Sequence, residues 1–240
     1  MLDDVVARLP TGWRPRPRPL VDHLVSFVVG GASGAVRRFH LLYADARRLV
    51  RTTERHEALA VLENHLTQAV AEMAPQRLFI HAGVVGWNGK AIVVPGPSHA
   101  GKSTLVAALL AAGATYYSDE YAVLDPRGRV HAFPRPLQLR DAREVAARVE
   151  PEELGGRRGL GPLPVGMVAV ARYDAGARWR PVRLTPGRTL LELLSNTIVA
   201  RSQPEAVMAM LRSMVARVPS FKGRRGEAKE TAAWLLEAVG

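Results

Sequence analysis

The segment Gly96-Pro97-Ser98-His99-Ala100-Gly101-Lys102-Ser103-Thr104 constrains this chain more than any other. It obeys G-x-x-x-x-G-K-[ST] and lies between two apolar runs, Ala91 to Val94 and Leu105 to Ala112, the second closed by Gly113. The order is strand, glycine-bounded loop, helix and glycine helix stop. A loop of this kind wraps phosphate oxygens with successive main-chain N–H groups, and the following helix adds its positive N-terminal end. Glycine supplies the backbone angles and the close approach. Lys102 is placed to reach β and γ phosphates, and the Ser103 hydroxyl to ligate Mg²⁺. Lysine occurs at only four positions, Lys90, Lys102, Lys222 and Lys229, and all other basic residues are arginine. A lysine at this point fits the need for a compact ammonium, which arginine's planar fork does not reproduce. The alternative is an incidental glycine loop, and the strand-before, helix-after context argues against it.

Upstream, Leu78 to Gly86 predicts a strand, Trp87-Asn88-Gly89-Lys90 a tight turn, and Ala91 to Val94 the returning strand. Asn-Gly between apolar runs signals a hairpin, because a type I′ turn needs positive φ at both central residues. With Asn88 and Gly89 at its centre, Trp87 faces Lys90 and His81 faces Gly96. That register puts an imidazole beside the phosphate cradle; a hydrogen-bonded structural histidine is the other reading. Downstream, a helix from Thr104 to Ala112 carries the chain ~14 Å away. A strand from Ala114 to Ser118 carries it ~16 Å back. Asp119 and Glu120 therefore return to the level of the phosphates. One carboxylate there can help hold Mg²⁺ and the other can accept a proton from an attacking hydroxyl. Without that placement the pair would read as a solvated turn.

Together, His81-Ala82-Gly83, the Gly96 to Ser103 loop and Ser118-Asp119-Glu120 resemble the catalytic domain of HPr kinase/phosphorylase. They resemble more closely the HPr-kinase-related proteins of some ribosomal-peptide clusters, lasso peptide clusters among them. The good match covers about Arg77 to Arg140, with a looser likeness over the rest. The resemblance implies an α/β fold: a P-loop kinase of the HPr kinase / phosphoenolpyruvate carboxykinase-like type, with a small N-terminal β-rich region. It implies ATP and Mg²⁺ as cofactors, Asp119 as general base, His81 as an assisting group, and Ser103 and Glu120 as Mg²⁺ neighbours. Lys102 would act on the phosphates. The expected reaction is transfer of the γ-phosphoryl group to a serine hydroxyl of a peptide or protein. A small-molecule kinase, or a nucleotide-dependent switch or ATPase, are the other classes; an acid so soon after the loop's helix favours transfer to a hydroxyl over a switch. The sequence departs from the family in several places. The family usually has glycine where His99 stands and Asp-Asp where Asp119-Glu120 stand. Arg158-Gly159-Leu160-Gly161 echoes a later arginine-glycine signature, but the residues before it do not match well. The N-terminal third does not resemble the regulatory domain of the bifunctional enzyme, so HPr itself is not implied as substrate. Family members can be oligomeric, and this sequence carries no interface signature.

With 240 residues, 48% of them apolar, a sizeable core is expected. Two parts are anticipated. Residues 1–75 show strand-like runs at Val21 to Val29, Val36 to Tyr43 and Arg48 to Thr52, with Gly30-Gly31-Ala32-Ser33-Gly34 as punctuation. A helix is expected from Arg55 to Met73, with Leu59, Leu62, Leu66 and Val70 on one face. The Arg14 to Pro19 alternation of arginine and proline should be extended. Residues 76–240 carry the loop. Within them Val130 to Arg140 reads as strand and loop, with Arg135 and Arg140 either surface arginines or phosphate neighbours. Glu150 to Pro164 has the composition of a mobile active-site loop. Val165 to Ala171 reads as a buried strand, and helices open at Thr185-Pro186, Pro204 and Glu227. The apolar runs fall short of the ~20 residues that cross a bilayer. No basic-then-apolar stretch succeeds Met1-Leu2-Asp3-Asp4, so a cytoplasmic protein is expected. The absence of cysteine excludes disulfides, thiolate catalysis and cysteine zinc sites. The net charge of +11 either favours phosphate-rich or acidic partners or is a solvated basic surface. Sparse aromatics without a stacking motif argue against nucleic acid.

Overall fold

Near-continuous apolar runs in the middle of the chain become strands covered on both faces. The computed structural model describes residues 2–10, 13–17, 20–30, 38–74, 76–140 and 146–240. Gly31 to Gly34, the start of the strand expected at Val36, Arg18 and Pro19, and the side chain of Arg140 lie outside the described residues. The chain divides into two units, residues 1–73 and 74–240.

The first unit contains α1 (Leu2–Val6), β1 (Val25–Val29), β2 (His40–Ala44), β3 (Arg47–Thr52) and α2 (Arg55–Met73). Its strands form an antiparallel sheet in the order β1-β2-β3. Leu42 packs with Leu59 and Leu62 of α2, and Leu66 lies against the same cluster. β1 starts later than the apolar run does, because Val21 and Leu24 are exposed and find no strand partner there.

The second unit contains β4 (Leu78–Trp87), β5 (Lys90–Pro95), α3 (Lys102–Ala111), β6 (Thr115–Ser118), β7 (Tyr121–Leu124), β8 (Arg129–His131), β9 (Leu137–Arg140) and β10 (Ala146–Val149). It continues with β11 (Arg157–Arg158), β12 (Leu163–Tyr173), β13 (Val182–Arg183), α4 (Pro186–Leu194), α5 (Pro204–Val215), β14 (Ser220–Arg225) and α6 (Ala228–Val239). Among the described residues these build a nine-stranded mixed sheet and a separate β9–β10 hairpin. β4 is its long middle strand. Antiparallel β5 lies along one edge of it, and β6 then β7 along the other. β12 runs parallel to both β5 and β14. One face of the sheet packs α3 and α6 through Val85, Ile92, Leu105, Leu109, Met167 and Leu235. The opposite face packs α4 and α5 through Ile80, Val93, Val168, Leu193 and Leu211. The architecture is thus mixed α/β. No helix among the described residues is long and apolar enough to cross a membrane.

The stretch from Glu150 to Pro164 is more regular than its composition suggests. Pro151–Leu154 form a 3-10 turn closed by a reciprocal capping box between Glu150 and Glu153. β11 then pairs in parallel with β6, and Gly159 N donates to Tyr116 O at 2.7 Å. This pairing uses main-chain groups alone, so no side-chain pattern announces it.

Candidate active site

The β4–β5 hairpin positions the loop. Asn88 (φ 47°) and Gly89 (φ 74°) both take positive φ at the turn centre, as a type I′ turn requires. Trp87 pairs with Lys90 and Ala82 with Pro95. One step on, Gly96 N donates to His81 O at 3.2 Å. The register expected from Asn-Gly is the register found. From Pro95 the chain runs over the loop to α3. Gly96 and Lys102 are buried, whereas Pro97, Ser98, His99 and Thr104 are exposed. His99 (φ 65°) and Gly101 (φ 82°) stand in the left-handed region. For a residue with a Cβ that conformation costs about 1–2 kcal/mol, so the loop at His99 has the backbone shape that glycine adopts freely. Gly101 occupies the N-cap of α3 with no side-chain cap bond. The first-turn N–H groups of a helix have no intrahelical acceptor, and here no capping side chain competes for them.

Lys102 is 6% exposed. Its Nζ donates to Gly96 O and Pro97 O, both at 2.8 Å, so the ammonium closes on carbonyl oxygens of its own loop. Burial pushes it down to about 8, against the pull of the Asp119 and Glu120 carboxylates.

α3 leads back into β6. β6 and β7 meet the same edge of β4, with Ser118 opposite Val84 and Tyr121 opposite His81. Asp119 and Glu120 fill the break between the two ladders. Ser118 Oγ accepts from Glu120 N at 3.2 Å and from Tyr121 N at 3.0 Å, and Ala82 N donates to Glu120 O at 3.1 Å. The main chain thereby fixes the bend that carries both acids, while the register shift of β6 against β4 lies just before it, between Tyr116 and Ser118. Asp119 is half-buried, and its Oδ1 is shut from solvent without a hydrogen-bond partner. Burial pushes the carboxyl up to about 6, while the Ser103 hydroxyl, the Lys102 ammonium and the Gln138 main chain pull it down. Glu120 Oε2 lies 3.4 Å from Arg135 Nη1. His81 is held down at about 4, first by burial and then by the Lys102 charge. Its ring is therefore neutral at pH 7 and rests tilted against Tyr121, with centroids 6.0 Å apart.

The structure thus gathers His81, Lys102, Ser103, Asp119 and Glu120 at one end of the loop. Arg135 joins them through Glu120. Arg158 does not: it is engaged by Glu150 and Glu152 at 2.7 and 2.9 Å. One neighbour of the loop has no sequence signal. Arg225, at the end of β14, is 1% exposed, and its Nη2 donates to Gly101 O at 2.5 Å. It lies far from Gly101 in the chain, and no spacing rule links them.

A buried, partnerless carboxylate oxygen near a serine hydroxyl and an ammonium suits a hard cation carried on polyphosphate. Among the described residues no group of three or more His, Cys, Asp or Glu side chains forms a metal cage. Mg²⁺ typically binds to one or two carboxylates, with phosphate oxygens and water completing its shell, and these residues fit that pattern. Fold and site define a mixed α/β protein with a glycine-bounded loop between β5 and α3, flanked by an acid pair. Compared with the models of known families and with curated proteins, the chain matches none.

Proposed function

We propose that this chain is an ATP- and Mg²⁺-dependent kinase of the HPr kinase / phosphoenolpyruvate carboxykinase-like P-loop type. It transfers the γ-phosphoryl group to a serine hydroxyl of a peptide or protein. The observation that carries this reading is the Asp119 carboxylate, whose Oδ1 is buried and unpartnered beside the P-loop lysine. A solvated structural turn would have no reason to hold a carboxylate in that state.

Loop amides and the α3 N-terminus grip the phosphates. Lys102 exchanges the Gly96 and Pro97 carbonyl oxygens for phosphate oxygens, which restores a charged partner to a buried ammonium. When bound, Mg²⁺ neutralises charge on the phosphates, with Ser103 and the Asp119-Glu120 pair as its protein neighbours. Asp119 takes the serine hydroxyl proton as the serine oxygen bonds to the γ-phosphorus and the bond to the ADP oxygen breaks. A carboxyl near 6 is largely ionised at pH 7 and more basic than an ordinary aspartate. His81, neutral, orients a phosphate oxygen or the acceptor without adding charge.

Labelled ATP with serine-containing peptides tests this. Label on peptide supports the kinase; free phosphate alone would make the chain an ATPase or switch, and label on a metabolite a small-molecule kinase. Lys102→Ala and Asp119→Asn should both abolish transfer, with Asp119→Asn keeping nucleotide binding. Full transfer by Asp119→Asn would remove Asp119 as the base.

A further inference from the structure

The sheet order also decides where the rest of a nucleotide would lie, an inference that rests on the phosphoryl-transfer reading. Across the sheet the strands run β6, β4, β5, β12, β14. The acid bend after β6 flanks the loop on one side. The carboxyl ends of β12 and β14, both parallel to β5, flank it on the other. A triphosphate is linear. If its terminal phosphate faces Asp119, its nucleoside leaves toward β12 and β14. Ligands of parallel strands lie beyond the carboxyl ends of those strands, which is where this flank ends.

Two residues close that flank. Tyr173 ends β12 and pairs with Arg225, which ends β14. Both touch the loop: Tyr173 N donates to Ala100 O at 3.2 Å, and Arg225 Nη2 donates to Gly101 O at 2.5 Å. The Arg225 guanidinium lies 5.4 Å from the centroid of the Tyr173 ring. Arg225 is buried, with Nε shut from solvent and unpartnered, yet Tyr173 remains 55% exposed. An aromatic ring is thus backed by a buried cation, tied to the phosphate loop and left open to solvent.

We propose that Tyr173 and Arg225 form the nucleoside end of the site, the base stacking on the exposed Tyr173 ring while Arg225 fixes that ring against Ala100 and Gly101. Stacking needs only a π face, so the ligand class is nucleoside di- and triphosphates with little selection among bases.

Calorimetric titration of the full chain with ADP and, separately, with inorganic tripolyphosphate tests this. Tyr173→Ala should weaken ADP roughly ten-fold, the order lost with one stacked ring, and leave tripolyphosphate binding unchanged. Tyr173→Phe and Tyr173→Trp should retain ADP binding. Equal weakening of both ligands would make Tyr173 a prop for the loop and overturn the proposal. So would ADP binding unchanged in Tyr173→Ala, or lost alike in Tyr173→Phe. In each of those outcomes the wild type still binds polyphosphate, and the kinase reading stands. A wild type that binds neither ligand would instead remove the phosphate site and this inference with it.

Discussion

The pH dependence of transfer is the most direct probe of the site. In the proposed transfer, Asp119 must be ionised to take a proton, and Lys102 must stay protonated to hold phosphate. Burial moves Asp119 from 3.8 to about 6 and Lys102 from 10.5 to about 8. The profile of kcat/KM reports the free enzyme. It should therefore rise with pH through about 6 and fall again through about 8, with its top between the two. One pH unit below the acid limb about one Asp119 in eleven is ionised, so the rate should drop roughly ten-fold. With ordinary values the plateau would instead run from 3.8 to 10.5. Glu120→Gln adds a sign test. The Glu120 charge raises both groups, so its loss should move both limbs toward acid. Initial rates at constant ionic strength, measured by labelled-phosphate transfer to serine-containing peptides, give the profile. A flat profile between about 5 and 9, or limbs moving in opposite directions in the variant, would refute this electrostatic account.

Three further outcomes are expected from packing. Gly83→Ala puts a Cβ 2.6 Å from Val106 Cγ2 under α3; overpacking of that kind costs about 1–3 kcal/mol, so the melting temperature should fall and ADP binding weaken as α3 shifts with Lys102. Gly101→Ala combines φ 82° with a Cβ 2.5 Å from Arg225 Nη2, and nucleotide titration should show binding lost. Asp125→Asn should cost about 1–3 kcal/mol in urea unfolding, because this buried carboxylate accepts from His131 Nε2 at 3.0 Å and from Arg129 Nε at 3.1 Å. Burial alone would raise Asp125, but the His131 ring and Arg129 override it and hold the carboxyl well below its usual range. Its stabilisation is therefore complete above 3.8 and is lost progressively as pH falls below that.

The stretch from Leu78 to Ala111 is legible in the sequence because every local signal there agrees. Asn88-Gly89 fixes the register, the apolar runs fix the strands, and the glycine loop fixes the start of α3. The position of His81 opposite Gly96 comes from two turn residues alone. The expected helices at Arg55, Pro186 and Pro204 likewise begin where capping and proline chemistry put them. β14 is not legible. Ser-Phe-Lys-Gly-Arg-Arg has one apolar residue, and the strand exists because β12 and β13 pair with its two edges. Arg225 is invisible for the same reason: a residue type that reads as surface is buried by neighbours distant in sequence. Tyr173 has no local pattern either, since its meaning depends on Arg225 and Ala100. The acid bend is legible in level but not in detail. The sequence places Asp119 and Glu120 together, whereas the fold pulls Asp119 toward Ser103 and Lys102 and Glu120 toward Arg135.

β4 acts as a ruler. Gly96 hangs from one edge through the His81 carbonyl, and Glu120 from the other through the Ala82 amide. Strands in a sheet stand about 4.8 Å apart, so the grip and the acid are held roughly 10 Å from one another. That gauge is written in backbone bonds, so side-chain drift along β4 leaves it unchanged. Loss of one residue from β4 would not, since it inverts every side chain beyond the gap. His81 would turn to the α4–α5 side, and a bulky residue would meet α3 where Gly83 now makes room.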